Sequence, residues 1–230
     1  LSQVPSYVPS NGLVGWWPFN GNANDESGNG NDGIISNGAS YTADRNGISN
    51  SAMLFPGLLN LPVATYFSNN EWTFSFWTRK DANLGHNPIE IAEMSGSQFV
   101  NMGFTSLNGN LDLNGEPRIY ASGGNCGNLY NISECVVTNS TWSYISYVYQ
   151  NNEIAIFKDG ALCSVNQINS GQYTCIISNM SLWIGGDVHG GSIEYFTGCI
   201  DDISIWNRAL SACEIQDLYN AELNAPTVDL

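Results

Sequence analysis

The sequence predicts an all-β protein, an antiparallel jelly-roll sandwich of two sheets with one short C-terminal helix. Two observations lead to this class. Short segments of alternating polar and apolar residues recur along the 230-residue chain, and turns rich in Gly and Asn separate them. One segment alone, near residue 211, carries the start signal of a helix. Many short strands with a single helix are typical of an antiparallel sandwich.

The aromatic residues locate the strongest strands. Along Glu71–Lys80, Trp72, Phe74 and Phe76 alternate with small polar residues, which predicts a strand with one apolar face. The segment Thr141–Gln150 is aromatic or β-branched on both faces, as expected of a central strand. Further strands are predicted at Glu153–Lys158 and Ala161–Asn166, joined as a hairpin, and at Met180–Ile184 and Gly198–Trp206.

The predicted helix begins at a capping box. Ser211 stands at the N-cap and Glu214 follows three residues later, while Ile215 and Leu218 supply an apolar side. The segments before the first strand and after the helix contain prolines and no apolar pattern. We therefore assign residues 1–12 to a linker, 13–220 to one domain and 221–230 to a second linker.

The charge balance excludes two classes of partner. Six Lys and Arg residues stand against 21 Asp and Glu residues, which gives a formal net charge of −15. Such a chain repels the phosphate backbone of nucleic acids and an anionic membrane surface. The sequence also contains no apolar run long enough to span a bilayer. We expect neither nucleic-acid binding nor membrane insertion.

The six cysteines predict disulfides. No Cys-x-x-Cys occurs, and His86 and His189 lie outside any zinc-ligand spacing, so a zinc site has little support. An even number of cysteines favours three disulfides in an oxidising compartment, and hence a secreted or cell-surface protein. Of the 15 possible connectivities, the local one is favoured by the short separations: Cys126–Cys135, Cys163–Cys175 and Cys199–Cys213.

Two motifs carry a resemblance to a known family. They are GWWPFNGNANDESGNGNDG at residues 15–33 and GCIDDISIWNRALS at residues 198–211, the second continuing through Glu214 to Tyr219. Together they resemble the two ends of a bacterial laminin G-type domain of the concanavalin A-like lectin/glucanase superfamily, over residues 13–220. The resemblance implies a two-sheet jelly roll, often calcium-bound, appended to adhesins, hydrolases and other surface proteins.

Residues 20–32 are dense in the carboxylate and amide oxygens that calcium prefers. The resemblance implies that Asp25 and Asp201 are carboxylate ligands of a structural calcium ion, that Asn20 completes the set, and that a carbonyl near Gly57 contributes. The sequence departs from the family at Pro56, where the family usually has Asp, so one potential ligand is missing.

The same carboxylates also have an ordinary structural interpretation. Asp25 and Asp32 are typical turn residues that cap their own backbone. Asp201 and Asp202 are adjacent in a predicted strand, and adjacent strand residues face opposite ways. Only one of the two is therefore expected to share a site with Asp25, and Asp201 is the favoured one.

A catalytic role has little support in the sequence. A retaining glycosidase needs two carboxyl groups about 5–5.5 Å apart on one face. The nearest candidates, Glu90 and Glu93, are three positions apart and would face opposite sides of a strand, and Ala92 replaces the central Asp of the laminarinase-like pattern. No Gly-x-Ser-x-Gly elbow occurs either. We expect the protein not to be an enzyme.

The expected function is a non-catalytic, calcium-binding module for carbohydrate binding or adhesion in a larger secreted or cell-surface protein. Tyr120, Tyr130 and His86 lie in or near loops, where they are candidates to contact a glycan. Trp183 lies in an apolar strand and is expected in the core. The alternative is a monomeric module that binds a surface protein or acts as a structural spacer, and a glycoside hydrolase is the least favoured interpretation.

Overall fold

The computed structural model describes residues 4–62, 70–81, 89–92, 99–105, 114–122, 129–132, 135–167, 181–188 and 193–223. Within these residues the chain forms short strands and one helix. The strands are β1 (Leu13–Trp17), β2 (Ile34–Ser36), β3 (Ser40–Thr42), β4 (Ala52–Phe55), β5 (Leu58–Leu61), β6 (Glu71–Lys80), β7 (Ile89–Ala92), β8 (Phe99–Thr105), β9 (Asn114–Ser122), β10 (Leu129–Ile132), β11 (Val137–Thr138), β12 (Trp142–Gln150), β13 (Glu153–Lys158), β14 (Ala161–Gln167), β15 (Ser181–Ile184), β16 (Gly186–Asp187), β17 (Glu194–Tyr195) and β18 (Gly198–Trp206), and the helix is α1 (Ala212–Leu223).

The strands form two antiparallel sheets that pack face to face. The first sheet has the order β14-β13-β12-β6-β18-β4-β3, and β1 also pairs with β18. The second has the order β10-β9-β8-β7-β15-β5-β2, and β11 pairs with β9. β16 and β17 form a separate two-stranded ladder. This architecture confirms the predicted two-sheet sandwich with one C-terminal helix.

The main core lies between the two sheets. Trp72, Phe74 and Phe76 alternate along β6 and all three are buried in this core, as their spacing predicts. They share it with residues of the second sheet such as Ile89 and Met102. Burying a large apolar side chain contributes about 1.5–3 kcal/mol, so this aromatic row supplies much of the stability of the sandwich.

A second cluster covers the outer face of the first sheet. Trp77, Tyr144 and Trp206 point away from the main core, and Ile215 and Leu218 of α1 pack against them. The strands β6 and β12 are consequently buried on both faces, which confirms the prediction of a central strand at residues 141–150. The helix therefore covers the outer face of the first sheet.

Part of each segment that we assigned to a linker is packed against this sheet. Val8 is buried in the outer cluster, the indole Nε1 of Trp206 donates to the carbonyl of Pro9 at 2.7 Å, and Arg208 donates to the carbonyl of Asn11 at 2.8 Å. At the other end, α1 continues to Leu223. The sequence could not reveal this packing because the contacts join residues almost 200 positions apart.

The predicted capping box begins α1. The backbone N–H and the hydroxyl of Ser211 both donate to Glu214 Oε2, at 2.8 and 2.9 Å, and the Glu214 N–H donates to Ser211 Oγ at 3.3 Å. Hydrogen bonds from Arg208, and then from Ser211, lower the pKa of Glu214 from 4.5 to about 2. A lowered carboxyl pKa stabilises the fold above pH 4.5, and this contribution is lost as the pH falls toward 2.

No helix in the described part of the chain is long and apolar enough to cross a membrane.

Replacing Ser211 with alanine should therefore destabilise the domain. The loss of an N-cap side chain costs about 1 kcal/mol, because the backbone N–H of Glu214 loses its acceptor. Urea unfolding followed by tryptophan fluorescence measures the change, and Ser49→Ala, in an exposed turn between β3 and β4, is the control. Equal stabilities of the two variants would contradict a capping role.

The disulfide connectivity differs from the predicted local pairing. Cys135 is bonded to Cys163, so neither Cys126–Cys135 nor Cys163–Cys175 can form. Cys199 is buried and Cys213 is exposed, and both are free thiols, so the predicted Cys199–Cys213 bond is also absent. Local pairing was wrong because Cys135 lies in the segment before β11, and this segment passes beside β14, the edge strand of the first sheet that carries Cys163. The strand β11 itself pairs with the second sheet. Cys126 and Cys175 lie outside the described residues.

Candidate functional site

An irregularity in β18 brings two neighbouring acidic side chains to the same place. The pairing of β18 with β6 shifts between Asp201 and Ser204, and Asp202 has a positive φ of 45°. As a result, Asp201 Oδ2 and Asp202 Oδ2 both accept from Arg45 Nη1, at 2.9 and 2.8 Å. The expectation that these two neighbouring side chains face opposite ways was wrong, because a bulge breaks the alternation of a regular strand.

Arg45 lies in the loop between β3 and β4. Asp44 shapes this loop, since its Oδ1 accepts from the backbone N–H groups of Asn46 and Ile48 at 2.9 and 2.8 Å. Besides its two carboxylate partners, Arg45 donates from Nη2 to the backbone carbonyl of Glu222 at 2.9 Å. Its guanidinium also lies 4.5 Å from the centre of the Trp77 ring, a cation–π contact. Three hydrogen bonds and one cation–π contact therefore hold the guanidinium, while Arg45 Nε is buried without a hydrogen-bond partner in the described structure.

The last turn of α1 supplies a third carboxylate, which is buried. Glu222 is 1% exposed, and its Oε2 accepts from the indole Nε1 of Trp77 at 2.6 Å. Its Oε1 is buried without a hydrogen-bond partner in the described structure. The Trp77 ring also contacts the guanidinium of Arg45, so Glu222 belongs to the same cluster as Arg45, Asp201 and Asp202. We call Arg45, Asp201, Asp202 and Glu222 the Arg45 cluster.

The Arg45 cluster holds more negative than positive charge. Burial, followed by the charge of Asp202, raises the pKa of both Asp201 and Glu222 well above its usual range. Burial also raises the pKa of Asp202. For Arg45, burial alone would lower the pKa, but the charges of Asp202, Asp201 and Glu222 outweigh it and raise the pKa. Arg45 is therefore the cation that allows these carboxylates to be buried.

A cavity of about 400 Å³ opens above the Arg45 cluster. Tyr7 and Trp16 form an aromatic wall, and Asn20 and Asn46 lie at its exposed rim. Burial, and then the charges of Asp202 and Glu222, raise the pKa of the Tyr7 hydroxyl. We call this space the Tyr7 cavity; its lining comprises Pro5, Ser6, Tyr7, Trp16, Pro18, Asn20, Asp44, Arg45, Asn46, Ile48, Ser51, Asp201 and Asp202.

The residues predicted to bind calcium are only partly brought together. Asn20 and Asp201 line the Tyr7 cavity, whereas Asp25 and Gly57 do not. Asp25 accepts from the backbone N–H groups of Trp16, Ser27 and Asn31, each at 3.0 Å, as in the turn-capping interpretation. Gly57 lies in the turn between β4 and β5, where a side chain would collide with Ala39.

This arrangement does not fit a calcium ion held between Asp25 and Asp201. Calcium takes six to eight oxygen ligands, but Asp201 already accepts from Arg45 and from the N–H of Asp202. Among the described residues, no group of three or more His, Cys, Asp or Glu is suited to hold a metal ion. The predicted calcium set stays a prediction, and the described geometry does not support it.

The residues proposed as glycan contacts, and the two glutamates considered and rejected as a catalytic pair, lie largely outside the described side chains. The backbones of Tyr120 and Tyr130 are paired opposite each other on β9 and β10. His86 and Glu93 lie outside the described residues, and Glu90 is described only in its backbone, on β7. Trp183 is half-buried and packs against Leu58 and Val188, in keeping with the core expectation.

Sequence reasoning missed Arg45 and Glu222, and it favoured Asp201 over Asp202. One signal for Arg45 was present, since it is one of only six basic residues in a chain with 21 acidic ones. A scarce basic residue is a natural partner for a buried acid. Nothing in the sequence pointed to Glu222, which we had placed in a linker.

Comparison with known sequences identifies a family match over residues 57–216, described as the concanavalin A-like lectin/glucanases superfamily, laminin G type. A search of curated proteins finds no match.

Solved structures share the fold at low identity. Domain 4 of AbnA, an extracellular arabinanase of family GH43 from Geobacillus stearothermophilus, solved with arabinotriose, matches with a TM-score of 0.70 and 16% identity, covering 90% of this chain and 98% of that one. The binding domain of botulinum neurotoxin DC, solved with rat synaptotagmin II, matches with a TM-score of 0.63 and 11% identity, covering 92% and 52%. The Trypanosoma rangeli sialidase matches with a TM-score of 0.61 and 18% identity, covering 96% and 34%. This chain thus spans about half of the neurotoxin domain and a third of the sialidase, and at such identities the likeness shows the fold alone.

Proposed function

Since the chain belongs to the laminin G-type family of the concanavalin A-like lectin/glucanase superfamily, we propose that it is a non-catalytic carbohydrate-binding module of an extracellular protein. We place the sugar in the Tyr7 cavity. The observation that carries this proposal is the cavity itself, whose volume of about 400 Å³ lies within the range of about 300–1,000 Å³ that is typical of ligand sites.

The lining of the Tyr7 cavity has the groups that sugar recognition needs. Tyr7 and Trp16 line the cavity, and aromatic side chains suit the C–H side of a sugar ring. Asn20 and Asn46 are exposed, and their side-chain amides make no hydrogen bond within the described structure. These amides are therefore available to bond the hydroxyl groups of a sugar. The excess of carboxylates at the floor disfavours anionic sugars, so we expect neutral oligosaccharides to bind.

Two of the structural neighbours support a binding role in general terms. The arabinanase domain was solved with arabinotriose, and the neurotoxin binding domain with a protein. Either kind of partner is thus compatible with this fold. The Cys135–Cys163 disulfide favours an oxidising, extracellular location.

The state of the acidic residues in the cavity favours binding over catalysis. A glycosidase needs one carboxyl group that donates a proton to the leaving oxygen and another that acts as base or nucleophile. Asp201 and Asp202, the acids at the floor, are both held by Arg45, and the side chain of Asp201 is only 2% exposed. Asp44 uses one oxygen to hold its own loop. None of these carboxylates is placed as a free acid–base pair.

The test is a screen of oligosaccharides, followed by calorimetric titration of the best ligand against rim variants. Asn20→Ala and Asn46→Ala should each weaken binding by about 2- to 12-fold, because each removes hydrogen bonds worth about 0.5–1.5 kcal/mol. Asn24→Ala is the matched control, since Asn24 is an exposed asparagine of the same loop as Asn20 but does not line the cavity. Unfolding curves should show that the variants remain folded.

Two outcomes would contradict the proposed site. If the rim variants bind normally and Tyr120→Ala, Tyr130→Ala or His86→Ala abolishes binding, the glycan site lies on the second sheet and its loops. If no oligosaccharide binds, a protein partner becomes the better proposal. One observation favours that second function: Val136, Leu162 and Val165 are exposed apolar side chains around the disulfide at the edge of the first sheet.

A further inference from the structure

We infer that the guanidinium of Arg45 takes the place of a divalent cation, so that this module ties its β3–β4 loop to its last strand and helix without calcium. This inference concerns the Arg45 cluster alone and does not depend on whether the Tyr7 cavity binds a sugar. It starts from a disagreement, because the family resemblance implies a calcium ion at Asp201 and the residues around Asp201 do not fit one.

The atoms around Arg45 are those that a calcium ion would select. They are one oxygen each of the Asp201 and Asp202 carboxylates and the backbone carbonyl oxygen of Glu222, at 2.8–2.9 Å from the guanidinium nitrogens. Carboxylate and backbone carbonyl oxygens are the usual ligands of calcium in proteins. The guanidinium is hydrogen-bonded to all three of these oxygens, so a metal ion cannot bind the same set at the same time.

Arg45 also makes the connection that a structural ion would make. It comes from the loop between β3 and β4, its carboxylate partners come from β18, and Glu222 comes from the last turn of α1. The contacts join positions 156 and 177 residues apart. One side chain therefore ties the first third of the chain to its last strand and helix.

The surroundings of Arg45 suit an arginine side chain better than a metal ion. Its side chain is 8% exposed, and its guanidinium lies over the Trp77 ring at 4.5 Å. An aromatic face attracts an organic cation but supplies no oxygen to a metal. The indole N–H of Trp77 also donates a hydrogen bond to the Glu222 carboxylate.

The inference predicts how stability responds to calcium. The melting temperature of the wild-type protein should be the same in chelator and in millimolar calcium. In Arg45→Ala the carboxylate and carbonyl oxygens lose their cation, so the melting temperature should fall in chelator and rise with added calcium. Above the dissociation constant, each tenfold increase in calcium should raise it by about 3–6 °C. The control is Arg208→Ala, which removes an ion pair with Glu214 outside the cluster and should not respond to calcium.

Circular dichroism melting in the two buffers is the experiment. A lower melting temperature of the wild-type protein in chelator would overturn the inference, and so would a folded Arg45→Ala variant that ignores calcium. If Arg45→Ala does not fold, Asp201→Asn provides the test. It should lower the melting temperature equally in chelator and in calcium, whereas a loss seen only in calcium would identify Asp201 as a metal ligand. Calorimetric titration of the wild-type protein with calcium should show no binding.

Discussion

Replacing Arg45 with methionine is expected to lower the free energy of unfolding by about 3–5 kcal/mol. Methionine keeps most of the side-chain volume but removes the charge, so the loss reports on electrostatics rather than on packing. Three carboxylates would remain without a cation, those of the buried Asp201 and Glu222 and that of Asp202, whose side chain is 14% exposed. Urea unfolding at neutral pH, followed by tryptophan fluorescence, measures the change.

Neutralising the acidic partners should recover part of this loss. Arg45→Met combined with Asp201→Asn and Asp202→Asn should be more stable than Arg45→Met alone, because fewer unpaired charges are buried. The matched control is Arg208→Met: the side chains of Arg208 and Glu214 are 23% and 34% exposed, so this ion pair should contribute about 1 kcal/mol or less. If Arg45→Met cost no more than the control, Arg45 would not be the cation that stabilises the cluster.

Removing the Cys135–Cys163 disulfide is expected to lower the free energy of unfolding by about 3–4 kcal/mol. The bond spans 28 residues, and closing a loop of this length removes that much conformational entropy, expressed as free energy, from the unfolded chain. The loop contains β12 and β13, and the bond links the edge strand β14 to the segment that enters β11. The double variant Cys135→Ser/Cys163→Ser tests the prediction by urea unfolding.

The free cysteine on the helix provides the control for this experiment. Cys213 is exposed and unbonded, so Cys213→Ser should leave stability within about 0.5 kcal/mol of the wild-type value. Mass mapping of peptides after alkylation without reduction should find Cys135 and Cys163 linked and Cys213 modified. A Cys199–Cys213 link in that map, or a double variant as stable as the wild type, would contradict the connectivity seen here.

The features that were correctly predicted are determined by residues only a few positions apart in the sequence. The alternation of Trp72, Phe74 and Phe76 fixes which face of β6 enters the core, because successive side chains of a strand point to opposite sides. The hairpin between β13 and β14 follows from Asp159 and Gly160, which both have positive φ, as its tight turn requires. The helix start follows from Ser211 and Glu214, three residues apart.

The features that were missed depend on contacts between distant parts of the chain. The pairing of Cys135 with Cys163 rather than Cys126 follows from where two sheet edges meet, which no spacing of cysteines reveals. The bulge that brings Asp201 and Asp202 together is a local shift in a strand whose sequence appears regular. Glu222 becomes part of the site only because α1 packs over Trp77.

The sequence by itself determined the fold class, the family and most of the central strands, because side-chain alternation, turn residues and the helix cap act over a few positions. Only the tertiary structure decided what the conspicuous acidic residues do. Whether a buried carboxylate binds a metal ion, caps a loop or pairs with an arginine depends on which cation the fold places beside it. Here Asp25 meets backbone N–H groups and Asp201 meets Arg45, 156 residues away, because burial of a charge requires a partner wherever in the chain that partner lies.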